Sequence, residues 1–267
     1  MTQPDWVGVH ALDGQMTAWA MQGSTALQSL SAQGVPTQDS LLALIGPWLA
    51  DAPMPVLVSG GGGPAQPVPS GPATRPVPVS VADPRLLVAQ IPSLSQTEPP
   101  DQMQGQVSLI AGFLALNPGW DGVICLPGQQ SVWAHVSADE VVSFQTFLTA
   151  EMAGMLAAHP SIDRGWEDGA FDGALPTTLA RPERLMAALS SLRAASDASM
   201  AQLWGLLIGA ELAAAKSYWL GQNLAVIGAD APARLYAHAL ETQGVPATLA
   251  DAPRMALAGL VAAYRAS

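Results

Sequence analysis

One cysteine, Cys125, stands in a chain of 267 residues. That excludes an intramolecular disulfide and a cysteine-based zinc cluster, and it suits a cytoplasmic protein. Basic residues are also scarce: 10 Lys and Arg face 21 Asp and Glu, for a net charge of −11. No basic run exists, so neither nucleic acid nor an anionic membrane surface is an expected partner. Missing too is any apolar run of about 18 residues, the length a membrane span needs. The N-terminus lacks the basic-then-apolar order of a secretory signal. What is plentiful is apolar: 49% hydrophobic residues against 12% charged, a globular composition. The length supports one large domain or two small ones with full cores.

Periodicity and punctuation organise the chain. Trp6 to Val9 and Met16 to Met21 read as strands joined at Asp13-Gly14, a strong hairpin signal. Ser40 to Leu49 has helical spacing, and Val56 to Val58 is a short buried strand that runs into Gly60-Gly-Gly-Gly63. Prolines recur from Pro64 to Pro84, which excludes regular helix and favours extended loop or edge strands. Leu86 to Ile91 predicts a strand and Val107 to Leu116 a helix. Val123 to Leu126 predicts a buried strand stopping at Pro127-Gly128, and Ser131 to Val136 returns from it. Helices are expected over 143–158, 181–195, 197–221, 231–243 and 253–266, with strands at 224–228 and 247–249. Strand-rich units thus precede a mostly helical half, the pattern of two α/β lobes, expected at 1–120 and 121–267.

Several phrases carry more than periodicity. Trp6–Met21 and Val123–Val136 share one form: strand, glycine turn, strand. Near the end, Gly205-Leu-Leu-Ile-Gly-Ala-Glu211 puts small residues on one side of a helix. Val226-Ile-Gly-Ala-Asp230 stops a strand at glycine, and Ala233-Arg-Leu-Tyr-Ala-His-Ala-Leu240 opens a second helix. Between them stand Met103-Gln-Gly-Gln-Val-Ser-Leu109, Leu126-Pro-Gly-Gln-Gln-Ser-Val-Trp133 and Phe144-Gln-Thr-Phe-Leu-Thr-Ala-Glu151. In this order the phrases resemble the 2-dehydro-3-deoxygalactonokinase family, sugar kinases of the actin-like ATPase superfamily. The resemblance implies an α/β, two-lobed actin-like ATPase (ribonuclease H-like) fold with a central cleft. It also implies ATP and Mg²⁺ as cofactors and a 2-keto-3-deoxy sugar acid as substrate. So acidic a chain needs local donors or a metal to hold ATP. A small-molecule sugar acid and a nucleotide are then the expected partners, and the resemblance leaves a homo-oligomer open.

Carried over position by position, the resemblance assigns sites and departures together. His10 takes the place of the aspartate expected to organise Mg²⁺, with Asp13 nearby as a displaced carboxylate or simply a turn residue. Gln106 takes the place of a glutamate base, although an amide has no useful protonation equilibrium. Val132 replaces a lysine beside the phosphate turn, where backbone N–H groups around Gly128, Gln129 and Gln130 can still receive an anion. Gly209, Gly228 and Ala229 are the remaining nucleotide-side positions, and Ser59, Gly60, Thr149 and Glu151 are those of the sugar acid. No protein metal ligand is assigned. Trp133 reads as core, and His159, beside Pro160, as a helix-end residue. The chain thus keeps scaffold phrases while three chemical positions have changed. Three functions compete: an active sugar-acid kinase, a degenerate binding or regulatory protein on the same scaffold, or altered chemistry using Asp13, Glu151 or His10.

Overall fold

The computed structural model describes residues 3–228 and 231–267. The elements begin with β1 (Trp6–Leu12), β2 (Gln15–Gln22), β3 (Thr25–Gln33), α1 (Gln38–Ile45), β4 (Met54–Ser59), β5 (Ala65–Pro67), β6 (Val77–Pro78), β7 (Leu86–Gln90), β8 (Ser93–Thr97), β9 (Pro100–Met103) and α2 (Gln106–Leu116). They continue with β10 (Gly122–Leu126), β11 (Ser131–Ser137), β12 (Glu140–Phe147), α3 (Thr149–Ala157), α4 (Asp168–Leu179), α5 (Leu185–Ala194), α6 (Met200–Ala214), α7 (Lys216–Trp219), β13 (Leu224–Ile227), α8 (Ala231–Glu241), β14 (Thr248–Ala250) and α9 (Ala252–Arg265). Two compact units result. One comprises Met1–Asp121, Val136–Ser143 and Ala250–Ser267; the other comprises Gly122–His135 and Phe144–Leu249.

The first unit is built on a six-stranded sheet of order β3-β2-β1-β4-β7-β6. Its opening hairpin closes at Asp13 and Gly14, both at positive φ, 53° and 74°. That geometry matches the twist of the flanking strands, which is why Asp-Gly is favoured there. β1, β4 and β7 run parallel. Alternate residues Val7, Val9, Val56, Val58 and Val88 pack with Leu41, Leu44 and Ile45 of α1. The other face receives α9, whose Leu260 lies over Gly8. The α2–α9 crossing is backbone against backbone: a Cβ on Gly112 would sit 1.9 Å from the Met255 carbonyl oxygen, and one on Gly259 1.9 Å from that of Ser108. Tyr264 of α9 stacks on Trp6 of β1 with ring centroids 4.2 Å apart.

The second unit has a five-stranded sheet, β12-β11-β10-β13-β14, with β10 and β13 parallel. Phe171 and Leu175 of α4, Ile208 and Leu212 of α6, and Tyr236 and Leu240 of α8 share one core with Cys125, Trp133 and Val226. A second core joins α3 and α5 to α6 through Ala153, Leu189, Leu192, Leu203 and Leu207. Ser199 and Gln202 close a reciprocal capping box at the start of α6.

Several elements differ from the sequence-based expectation. β3 was not expected because its residues are exposed or nearly so, leaving no apolar alternation to read. The helix expected from 143 is first a strand, β12, and becomes helical only at Thr149. α4 was missed because Gly169, Gly173 and an internal Pro176 all argue against helix; packing against α6 overrides that propensity. Among the described residues no helix is long and apolar enough to cross a membrane.

The crossing of α2 and α9 generates a test. Gly112→Ala should lower unfolding stability by about 1–3 kcal/mol or more, as forced overpacking does. Gly154→Ala, in α3 with nothing within 4 Å of the added methyl, should be neutral or stabilise by up to about 1 kcal/mol. Denaturant midpoints of the two variants against the parent check both expectations.

Candidate functional site

Ligands of parallel α/β sheets gather at the carboxyl ends of the strands. In the first unit those ends bring together His10, Ser59 and Gly60. His10 pairs in register with Ser59 across β1 and β4, and Val58 pairs with Gln90 of β7. Gly60 has φ +87°, and a Cβ there would lie 2.0 Å from the Ala11 carbonyl oxygen, so only glycine fits. The carboxamide of Gln90 donates to the Gly60 carbonyl at 2.6 Å. The first turn of α2 closes over the same end. The His10 Nε2–H donates to the Gly105 carbonyl at 3.2 Å, because a carbonyl only accepts. Gln106 turns its side-chain oxygen back to the Gln104 N–H at 3.3 Å. The Ser59 hydroxyl is fully buried and has no hydrogen-bond partner among the described residues. Asp13 is exposed in the β1–β2 turn.

Burial lowers the His10 pKa to about 4, and the Gly105 carbonyl opposes the shift only in part. The imidazole is therefore neutral at physiological pH. The set does not fit Mg²⁺, which wants several hard oxygen ligands. Among the described residues no three His, Cys, Asp or Glu side chains converge as a metal-holding group.

In the second unit the corresponding strand ends are Leu126 and Ile227, on neighbouring parallel strands. The bend at Gly128, Gln129 and Gln130 and the residue Gly228 therefore lie at one sheet edge. Ala229 lies outside the described residues. Past this edge, the start of α8 and the start of α4 enclose a cavity of about 390 Å³ lined by Trp166, Asp168, Phe171, Arg234, Leu235 and His238. Trp166 and Phe171, then Phe171 and His238, have ring centroids 6.0 Å apart. Trp166 Nε1–H donates to Asp168 at 2.8 Å. His238 Nε2 lies 2.7 Å from Asp172 Oδ1. No local signal in the sequence points to this cavity, because α4, which carries Phe171, lacks a helical signature. Gly209 is not at the cavity; its missing Cβ admits α4, whose Leu175 carbonyl oxygen would be 2.4 Å away.

Beneath the edge lies the most unusual group in the unit. Glu211 is 3% exposed on the otherwise apolar α6. Four side chains donate to its carboxylate: Ser131 Oγ at 2.8 and 2.9 Å, Trp133 Nε1 at 2.8 Å, Tyr236 OH at 2.5 Å and Thr149 Oγ1. Desolvation nevertheless raises its pKa, the four donors offsetting only part of that effect. Burial, and after it the neighbouring Glu211, push the Tyr236 and Cys125 pKa values well up. Thr149 is thus committed to Glu211, while Glu151 stands exposed in the first turn of α3. Val132 is 2% exposed in β11, so that position is core here and offers no place for an ammonium group.

A family model for 2-keto-3-deoxy-galactonokinase matches residues 9–263. The chain belongs to that family. It is 32% identical over 195 residues to "Probable 2-dehydro-3-deoxygalactonokinase DgoK1" of Rhizobium meliloti (strain 1021), covering 66% of this chain and 63% of that relative's length. The crystal structure of a Sinorhizobium meliloti protein designated a 2-dehydro-3-deoxygalactonokinase superposes with a TM-score of 0.84, at 25% identity and 98% coverage of each chain. A Porphyromonas gingivalis protein designated an N-acetylglucosamine kinase shares the fold, with a TM-score of 0.50, 10% identity, and 96% of this chain and 98% of that one covered. The fold is therefore the α/β fold of actin-like sugar kinases.

Ser131, Trp133, Thr149, Glu211 and Tyr236 come from four separate phrases and meet at one carboxylate. The sequence offered one signal for it: a single acid in an apolar helix.

Two measurements follow. Glu211→Ala, which leaves buried donors without an acceptor, should destabilise the protein by about 3 kcal/mol or more, at about 1–3 kcal/mol per orphaned group. Conservative Glu211→Gln should also destabilise, since its amide adds donors where acceptors are needed; chemical denaturation checks both. His10 sets a pH dependence. Its folded pKa lies below 6.5, so its contribution is complete above pH 6.5 and is lost as pH falls through about 4. His10→Gln should flatten the stability profile of the parent between those limits.

Proposed function

We propose that this chain is a 2-dehydro-3-deoxygalactonokinase-like protein that keeps the sugar-kinase scaffold but has weakened or lost ATP-dependent phosphotransfer, and that acts in the cytoplasm as a binding or regulatory relative of the active kinases. One observation carries the reading. The position that the resemblance gives to a magnesium-organising aspartate holds His10, a neutral imidazole turned onto the Gly105 carbonyl. Two others agree with it. Gln106 stands where a base is needed and spends its oxygen on the Gln104 N–H. Val132 is core where a lysine is expected.

The residues kept at the sites support binding more than chemistry. Ser59 and Gly60, the sugar-acid positions of the resemblance, stand at the strand end of the first unit, with the Ser59 hydroxyl closed to solvent. The aromatic cavity at the start of α8, with Gly128, Gln129, Gln130 and Gly228 at the adjoining strand ends, suits a nucleotide base and its phosphates. A second reading, a working 2-keto-3-deoxy sugar-acid kinase using ATP and Mg²⁺, is favoured by the family match over residues 9–263.

Titration calorimetry with ATP·Mg²⁺ and a coupled assay on 2-keto-3-deoxygalactonate separate the two. Each lost charge-assisted contact is worth about 1.5–3 kcal/mol, so losing two should weaken ATP·Mg²⁺ binding by roughly two to four orders of magnitude relative to an intact relative. No turnover is expected, since general acid–base help alone contributes about 10²–10⁴-fold. Steady ADP release that depends on the sugar acid would establish the second reading instead. If the first holds, the pair His10→Asp and Gln106→Glu should raise turnover above the parent's background.

A further inference from the structure

The three sheets have six edge strands among the described residues, and five of them are closed by their own sequence or surroundings. β6 has two residues and contains Pro78; β14 has three. β5 ends in Pro67, and β9 opens with Pro100-Asp101. β12 begins with Glu140, and its Val141 exchanges both backbone hydrogen bonds with Ser70, at 2.9 and 3.1 Å. These are the ordinary devices that stop sheet edges from pairing: shortness, proline, charge or cover. β3 has none of them. It is nine residues long, Thr25-Ala-Leu-Gln-Ser-Leu-Ser-Ala-Gln33, without proline or charge.

The register shows which backbone groups face out. Gly34 N–H donates to the Gly14 carbonyl at 2.7 Å, and the β2–β3 pairs continue that register through Gln33↔Gln15, Ala32↔Met16 and Leu30↔Ala18. Hydrogen-bonded pairs alternate in an antiparallel ladder. Ala32, Leu30 and Gln28 therefore bond toward β2, and the N–H and C=O groups of Ser29, Ser31 and Gln33 point away from the sheet. A bulge near Leu27 ends the regular stretch, so the open edge is Gln28–Gln33. Leu27 and Leu30, each 36% exposed, lie along it.

We propose that β3 is a self-association edge, on which a second copy of this chain adds its own β3 antiparallel across a two-fold axis at Ser31. Self-pairing fits the charge pattern. Two copies, each of net charge −11, repel almost anywhere else, whereas this strand brings no charge against its mate. With the axis at Ser31, Ser29 faces Gln33 of the second copy, so the outward donors and acceptors satisfy one another and Leu30 meets Ala32. A single strand pair buries less than the roughly 1,200 Å² of a stable interface, so the dimer is weak and concentration-dependent, with Kd on the order of tens of micromolar.

Sedimentation of the full chain from about 1 to about 500 µM spans that range and should show a monomer passing to a dimer. Ser29→Pro removes an outward N–H without touching the β2 ladder and should weaken dimerisation by tenfold or more. Should that variant melt early, Ser31→Glu places like charges directly opposite each other at the axis and should do the same on an intact fold. Ser31→Cys tests the geometry directly. Cys125 is buried, so mild oxidation should link two copies through position 31 alone. A monomer at every concentration overturns the proposal, and so does a dimer that ignores the changes at positions 29 and 31. Failure of Ser31→Cys to cross-link in a sample that sediments as a dimer moves the interface off β3 and overturns it as well.

Discussion

A carboxylate without a cation is the constraint on which the second unit depends. Desolvating the charged form of Glu211 costs several kcal/mol, and among the described residues four neutral donors, rather than an arginine or lysine, offset that cost. Those donors belong to β11, the first turn of α3 and α8, and the acceptor belongs to α6. One acidic side chain therefore sets the spacing of four elements. β11 starts directly after the bend at Gly128–Gln130, and α8 starts just beyond Gly228. The strand-end turn and the aromatic cavity inherit their geometry from a group that touches neither.

The first unit makes the opposite choice. Its strand ends hold a neutral imidazole and an amide where charge is expected, and its tightest contacts are made by glycine. Gly60 lies against Ala11, and Gly112 against Gly259 through the α2–α9 crossing. Backbone approach of this kind tolerates no added methyl, so it preserves a scaffold strictly. It places no demand on the side chains at His10 or Gln106.

This division explains what could be read in advance. The two hairpins, the strand ending at Ile227 and the helices α2, α8 and α9 were legible because their apolar periods or their turn residues are local signals. β3 was not legible, since an edge strand without a buried face has no period. α4 was not legible either: Gly173 and Pro176 spoil its propensity, and only its fit to Gly205 and Gly209 of α6 makes it a helix. With α4 unseen, Phe171 had no place and the cavity it floors could not be anticipated. Glu211 was noticed as part of a phrase, but its four donors are 25 to 80 residues away in sequence, and no spacing rule connects them. The inward position of Val132 likewise follows from the strand's phase rather than from its neighbours.

Helix α9 is the last element of the chain and lies on the sheet that contains the first, with Tyr264 on Trp6 and Gly259 on α2. During synthesis, β1 is therefore made more than two hundred residues before the surface that covers it. The second unit, made in between, has all its core residues in hand while the first still waits with Gly8 and Trp6 uncovered. The core of the first unit therefore depends on a segment more than two hundred residues downstream of β1, and the same unit carries the open β3 edge.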